Sequence, residues 1–168
     1  MDFKGATFLY TLAGMMITFA GFSALLLAVR PATGAKLSML DRFLAKTVMT
    51  HIFVLSAGAL LPAVFALFDA SDRWIWRGSS VLFALPMLYL QLTYPARRLK
   101  LIGEGPPFPI LAVFVVLGAA VTVGMLAFEL VGSSYGAAVY VTALTIDFFT
   151  VAFAFLVALE VILRQPTE

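Results

Sequence analysis

The chain has 168 residues, of which 62% are hydrophobic and 12% charged, and its mean hydropathy is +1.04. A soluble domain is about 45–50% apolar and about 25% charged, so a soluble fold of this length cannot hide this much apolar surface, and the composition implies one integral membrane domain over residues 1–168. The net charge of +2 does not imply a nucleic-acid partner, because Lys and Arg gather at the ends of apolar runs rather than in a basic stripe among aromatics, and the lack of cysteine excludes disulfide, thiolate and iron–sulfur chemistry.

The first apolar run, 7–29, is too long for the apolar region of a signal peptide, about 7–15 residues, and reads as a retained span. The connection after it, "RPATGAKLSMLDRFLAK", holds Arg30, Lys36, Arg42 and Lys46. Within it Ser38 is placed to cap, and Asp41 to sit in the first turn of, a helix running on into the second span, 47–68. That helix covers about 30 residues, or about 45 Å, with its first two turns against the lipid headgroups. The next connection, "DASDRWIWRGSS", sets Arg73 and Arg77 against Asp69 and Asp72, and its Trp74 and Trp76 suit a membrane interface, as does Tyr94 at the far end of the next span.

The third run, 78–94, is short and carries Pro86, Gln91 and Thr93, so it needs helices on several sides or is re-entrant. "PARRLKLIGEGPPFP" adds Arg97, Arg98 and Lys100, then a rigid turn that places Pro109 in the first turn of the fourth span, 110–131. "GSSYG" closes a hairpin to the fifth span, 137–163. The run lengths fit helices, since barrel strands are about 9–11 residues and alternate in polarity. The expected fold is an all-α integral membrane bundle of five transmembrane helices. The positive-inside rule places the N-terminus outside and the C-terminus in the cytoplasm.

A charged side chain at a helix centre costs about 2.5–3.5 kcal/mol on insertion scales, so Asp147 in "ALTIDFFTVAF" needs a reason. It lies about 15 Å below the outer end of the fifth span, level with Thr122 across the hairpin. Tyr140 and Thr150 share its helix face by i, i+3, i+7 spacing. Asp147 reads as a neutral carboxyl, hydrogen-bonded to hydroxyls, that joins helices, as part of an ion, proton or solute pathway, or as a metal or cofactor contact.

A second polar level, closer to the cytoplasm, groups His51, Gln91 and Glu160, all about 6–9 Å inside the inner boundary. On this count His51 and Asp147 stand more than about 10 Å apart in depth and do not pair. His51 fits an interfacial histidine bonded to Glu160 or a lipid phosphate. A single histidine also suffices to ligate a pigment, but bis-histidine haem within one chain is excluded. Glu160 and Arg164 have the i, i+4 order of an ion pair, and Glu129 is close enough to the outer end to reach water. Gly14 with Gly21, Ser56 to Ala59, and Gly118 to Gly124 suit close helix approach, within the chain or between copies, and Pro62 and Pro86 are expected kinks.

No zinc-protease, serine-hydrolase or phosphate-loop signature is present, and no histidine–carboxylate set has metal spacing. The sequence thus predicts no catalytic residues, no metal, no cofactor and no enzyme. "TFAGFSALLLAVRPATGAKLSMLDR" is similar to a group of small, uncharacterised bacterial inner-membrane proteins, over roughly residues 15–45, in its "GFSAL" run and the basic connection with an L-S-x-x-D-like turn. The resemblance implies a multi-pass protein of the bacterial inner membrane and supplies no activity. The expected partners are the lipid bilayer and either further copies of the chain or other membrane subunits. Two functions are open: an oligomeric channel or transporter for an ion or small solute with Asp147 on the path, or a structural or accessory subunit of a larger membrane complex.

Overall fold

The computed structural model describes residues 5–32, 38–132 and 135–163. Lys36, Arg164 and the two serines of "GSSYG" lie outside them, so the proposed Glu160–Arg164 pair does too. The described residues form five long helices and no strand. They are α1 (Ala6–Ala32), α2 (Met39–Leu67), α3 (Asp72–Ile102), α4 (Phe108–Val131) and α5 (Gly136–Leu163). Four of them, all but α3, are long and apolar enough to cross a membrane, the signature of a multi-pass membrane protein.

The helix ends follow local chemistry. Ser38 and Asp41 form a reciprocal capping box at the start of α2: the Asp41 N–H donates to Ser38 Oγ at 3.1 Å and the Ser38 N–H to Asp41 Oδ2 at 2.9 Å. The first turns of α2 do more than lie on headgroups, because Phe43, Leu44 and Val48 are buried in the bundle. Helix α3 stops at Gly103, whose φ of 82° is a left-handed cap that L side chains rarely adopt. Pro107 and Pro109 flank Phe108 at the start of α4 as the turn sequence implies.

The third span departs from expectation in length and meets it in packing. It is not short: α3 is one continuous helix of 31 residues, about 46 Å, and other helices lie on several sides of it, as its polarity requires. Trp74 and Trp76 belong to its first turns rather than to a loop. Trp76 is buried, its Nε1–H donating to Asp72 Oδ1 at 3.0 Å, so only Trp74 is exposed as an interfacial tryptophan would be. Tyr94, also read as interfacial, is likewise buried. Hydropathy truncated α3 because both its ends are polar. Its inward face, Trp76, Ser80, Phe83, Met87, Gln91 and Tyr94, recurs at helical spacing and is buried throughout. Helices α2, α3, α4 and α5 pack mutually around this face. Helix α1 lies outside them, chiefly against α2, with Phe19 packed edge-on to Phe148 and Phe155 of α5.

Candidate functional site

Asp147 is fully buried in the middle of α5. Its carboxyl meets side chains from two other helices. Gln91 Nε2 of α3 donates to Oδ1 at 3.2 Å, and Thr122 Oγ1 of α4 lies 2.9 Å from Oδ2. Thr122 Oγ1 also donates to Gly118 O at 3.0 Å. The hydroxyl has one hydrogen and two acceptors in reach. Both contacts form together when Asp147 carries a hydrogen on Oδ2 and donates it to Thr122 Oγ1. Gln91, Asp147, Thr122 and the Gly118 carbonyl then make one chain with a donor and an acceptor at each contact. This arrangement holds a neutral carboxyl without water, at a depth where an unpaired polar group costs several kcal/mol, on the order given for lipid.

Backbone geometry makes room for it. Residues Leu111–Leu117 of α4 wind as a π-helix and return to α-helix at Gly118. Such turns concentrate at functional sites because they shift the side chains beyond them. A Cβ on Gly118 would collide with Gln91 Nε2 and stand 3.3 Å from Asp147 Oδ1. Glycine is therefore required where the Gln91 amide crosses to the carboxyl.

The register between α2 and α5 rests on a second proline effect. Pro62 has no N–H, so the carbonyl four residues back, Gly58 O, lacks its helical donor. Tyr140 supplies one: its hydroxyl donates to Gly58 O at 2.6 Å from inside the core. Tyr140, Asp147 and Thr150 do lie on one buried face, but not as a connected chain of side chains. Thr150 Oγ1 donates to the Asp147 carbonyl at 2.8 Å, satisfying itself within α5.

The inner polar level is redistributed. Gln91 bonds Asp147, which the sequence reading set at another depth. Glu160 is exposed, whereas His51 is fully buried. The depth separation of His51 from Asp147 is also revised. Tyr140 touches Gly58; seven residues along α5 from it is Asp147, and seven back along α2 from Gly58 is His51. Helices that pair antiparallel in this way bring the two to within about one turn, about 5 Å, in depth. The earlier count failed because it measured α2 from Lys46 as though the membrane boundary lay there. His51 Nδ1 is 2.7 Å from Thr47 O and its ring meets Phe114 edge-on with centroids 4.8 Å apart. Since a carbonyl only accepts, Nδ1 carries the hydrogen and Nε2 presents a lone pair.

At the opposite end, where α4 stops, Arg77 of α3 caps that helix, donating from Nε at 3.2 Å and Nη2 at 2.9 Å to Glu129 O. A cation there complements the helix dipole. Glu129, read as reaching water, is buried under the start of α5 instead. Among the described residues no three of His, Cys, Asp and Glu converge as a metal site would. Sequence reasoning marked Gly118 for close helix approach without tying it to Asp147, and it missed the burial of Arg98, Ser79 and Ser80. The length and inward periodicity of α3 would have exposed the last three.

Comparison with known proteins finds no matching family model, no matching curated protein and no matching solved structure.

Proposed function

We propose that this chain is a non-catalytic multi-pass protein of the bacterial inner membrane that moves an ion or small solute, with Asp147 on its route. The N-terminus faces outward and the C-terminus the cytoplasm, as the Lys and Arg distribution requires. The observation that carries this reading is the wholly enclosed Asp147, engaged by two other helices beside a glycine kept clear for that contact. Buried ionisable groups in spanning helices are costly, and pathways are what they mark by default. Because Asp147 is enclosed within one protomer, the route runs inside the chain rather than between copies. Buried Phe83, Met87 and Leu144, one to two helical turns from Gln91 and Asp147, support a carrier that alternates over an open pore.

The test is flux into liposomes, with protons followed by an enclosed pH-sensitive dye and with sodium and potassium offered in turn. Asp147→Asn keeps a side chain able to bond Thr122 and Gln91 and is expected to cut flux at least about tenfold. Equal flux in the variant, or none in the parent, sinks the reading.

A second reading, an accessory subunit or a homo-oligomer, draws on a separate observation. Among the described residues a Cβ added at Gly14, Gly21 or Gly124 meets nothing within 4 Å, so these small residues serve no packing there. Such faces allow close approach of a helix from another copy or subunit. Native gels that show a stable complex in the parent and its loss in Gly14→Leu would favour it.

A further inference from the structure

An open groove of about 310 Å³ runs between α4 and α5. Val121, Gly124 and Phe128 form one wall, and Ala138, Thr142 and Ile146 the other. Gly124 leaves it clear, since a Cβ built there meets nothing within 4 Å among the described residues. From Phe128 to Val121 the groove runs about 10 Å at 1.5 Å per residue. Its section is then about 30 Å², whereas a helix 10 Å across needs about 80 Å². One extended hydrocarbon chain fits that section, and a second helix does not enter it. The turn joining α4 to α5 closes one end of the groove, because both walls run into it. Arg73 reaches that turn from α3. A Cβ built on Gly132, the cap of α4, would stand 3.2 Å from Arg73 Nη2 and 3.9 Å from Arg77 Nη2. Phe128, at that end of the groove, is one helical turn from Gly132. Arg77 is committed to the Glu129 carbonyl, whereas Arg73 is exposed. Two acids nearby are turned elsewhere: Asp72 Oδ1 accepts from Trp76, and Glu129 is buried against Gly136.

We infer that this groove is a binding site for an anionic phospholipid. One acyl chain lies between α4 and α5 from Phe128 to Val121, and the phosphodiester meets the guanidinium of Arg73 at the turn. A guanidinium is a planar fork of donors that matches phosphate oxygens, and it holds them more strongly than a neutral donor does. The second guanidinium, Arg77, adds positive charge at the same point and favours an anionic headgroup over a zwitterionic one. The inner end of the groove is Ile146, the residue before Asp147, so the bound chain packs on α5 at the level of the buried carboxyl. The site stands independently of the transport reading. It assigns Gly124 to lipid and leaves Gly14 and Gly21 as the glycines open to another copy.

The test is native mass spectrometry of the full chain in detergent, titrated with phosphatidylglycerol and, separately, with phosphatidylcholine of the same acyl chains. The parent should bind one phosphatidylglycerol at least about tenfold more tightly than phosphatidylcholine. Gly124→Leu fills the groove and Arg73→Gln removes the cation; each should weaken phosphatidylglycerol binding at least about tenfold. Arg73→Gln should in addition shrink the preference between the two lipids, which Gly124→Leu should not. Circular dichroism checks that each variant is folded. Ala138→Leu closes the groove from the other helix, so a misfolded Gly124→Leu leaves the test standing. Equal binding of the two lipids by the parent overturns the site. Unchanged phosphatidylglycerol binding in Arg73→Gln, or in a folded groove variant, does the same. A parent that is a lipid-free dimer and becomes a monomer in Gly124→Leu would also overturn it and give the groove to a second copy.

Discussion

Helices α1 and α3 invert the usual relation between hydropathy and position. Helix α1 is apolar enough to cross a membrane, yet it lies at the periphery and exposes Phe8, Met15, Ile17 and Phe22. Helix α3 is the one long helix too polar to meet that measure, yet it buries Ser80, Gln91, Tyr94 and Arg98 among its neighbours. Lipid explains the inversion. In hydrocarbon, apolar side chains gain little by facing protein, whereas polar ones must find partners or pay the full desolvation cost. The least hydrophobic helix is therefore driven to the centre. The hydroxyls of α1 show the alternative for a lipid-facing position: Thr11 and Thr18 donate to the carbonyls four residues back, each at 2.9 Å, and need no neighbour.

The glycines test this contrast most sharply. At Gly58, against α3, an added Cβ would stand 2.6 Å from Phe83 Cδ2 and 3.1 Å from Leu144 Cδ1. Both neighbours are buried and cannot simply turn away. Gly58→Ala is expected to destabilise the protein by up to about 3 kcal/mol, the upper end for overpacking. Unfolding in mixed detergent micelles, followed by circular dichroism, measures it; a parent-like midpoint would mean that the helices stand further apart.

Tyr140→Phe comes next. It strands Gly58 O in the core without a donor, at a cost of about 1–3 kcal/mol. The diagnostic partner is Pro62→Ala, which restores the missing helical N–H to that carbonyl. In the double variant the loss of the tyrosine hydroxyl should cost less than in the single, giving a coupling energy of about 1 kcal/mol. Strict additivity would separate the proline from the tyrosine.

A smaller effect is expected where α4 ends. Arg77→Gln removes the guanidinium from Glu129 O and should cost about 0.3–1 kcal/mol, the range for a cation at a helix C-terminus. The same unfolding assay reads it, and raised salt should shrink the difference between parent and variant, since exposed charges are screened.

Much of the fold was legible because each of its signals is local. Ser38 with Asp41 marked a helix start, Pro109 another, and run lengths found the four apolar helices. Thr122 could be set at the level of Asp147 because a short hairpin fixes the register of α4 against α5. His51 and Gln91 were misplaced because their depths were counted from charged residues that lie within the helices themselves, Lys46 in α2 and Arg97 in α3. Register between helices distant in sequence is set by contacts such as Tyr140 on Gly58 O, and no local pattern encodes those. The proline that frees this carbonyl was in view; which side chain would answer it was not.

An effect of comparable size and opposite sign should appear on α1. A Cβ at Gly14 meets nothing within 4 Å, so in the isolated chain Gly14→Ala adds no clash and removes the flexibility of a helical glycine. The expected change is a gain of up to about 1 kcal/mol, opposite in sign to Gly58→Ala on the next helix. The gain holds only while that face meets lipid or detergent. If a second helix packs there, a methyl group intrudes on the contact, and the sign turns with protein concentration. Unfolding of Gly14→Ala at several protein concentrations therefore separates the two cases: a constant gain leaves α1 facing lipid, and a gain that reverses as concentration rises assigns its glycines to an interface.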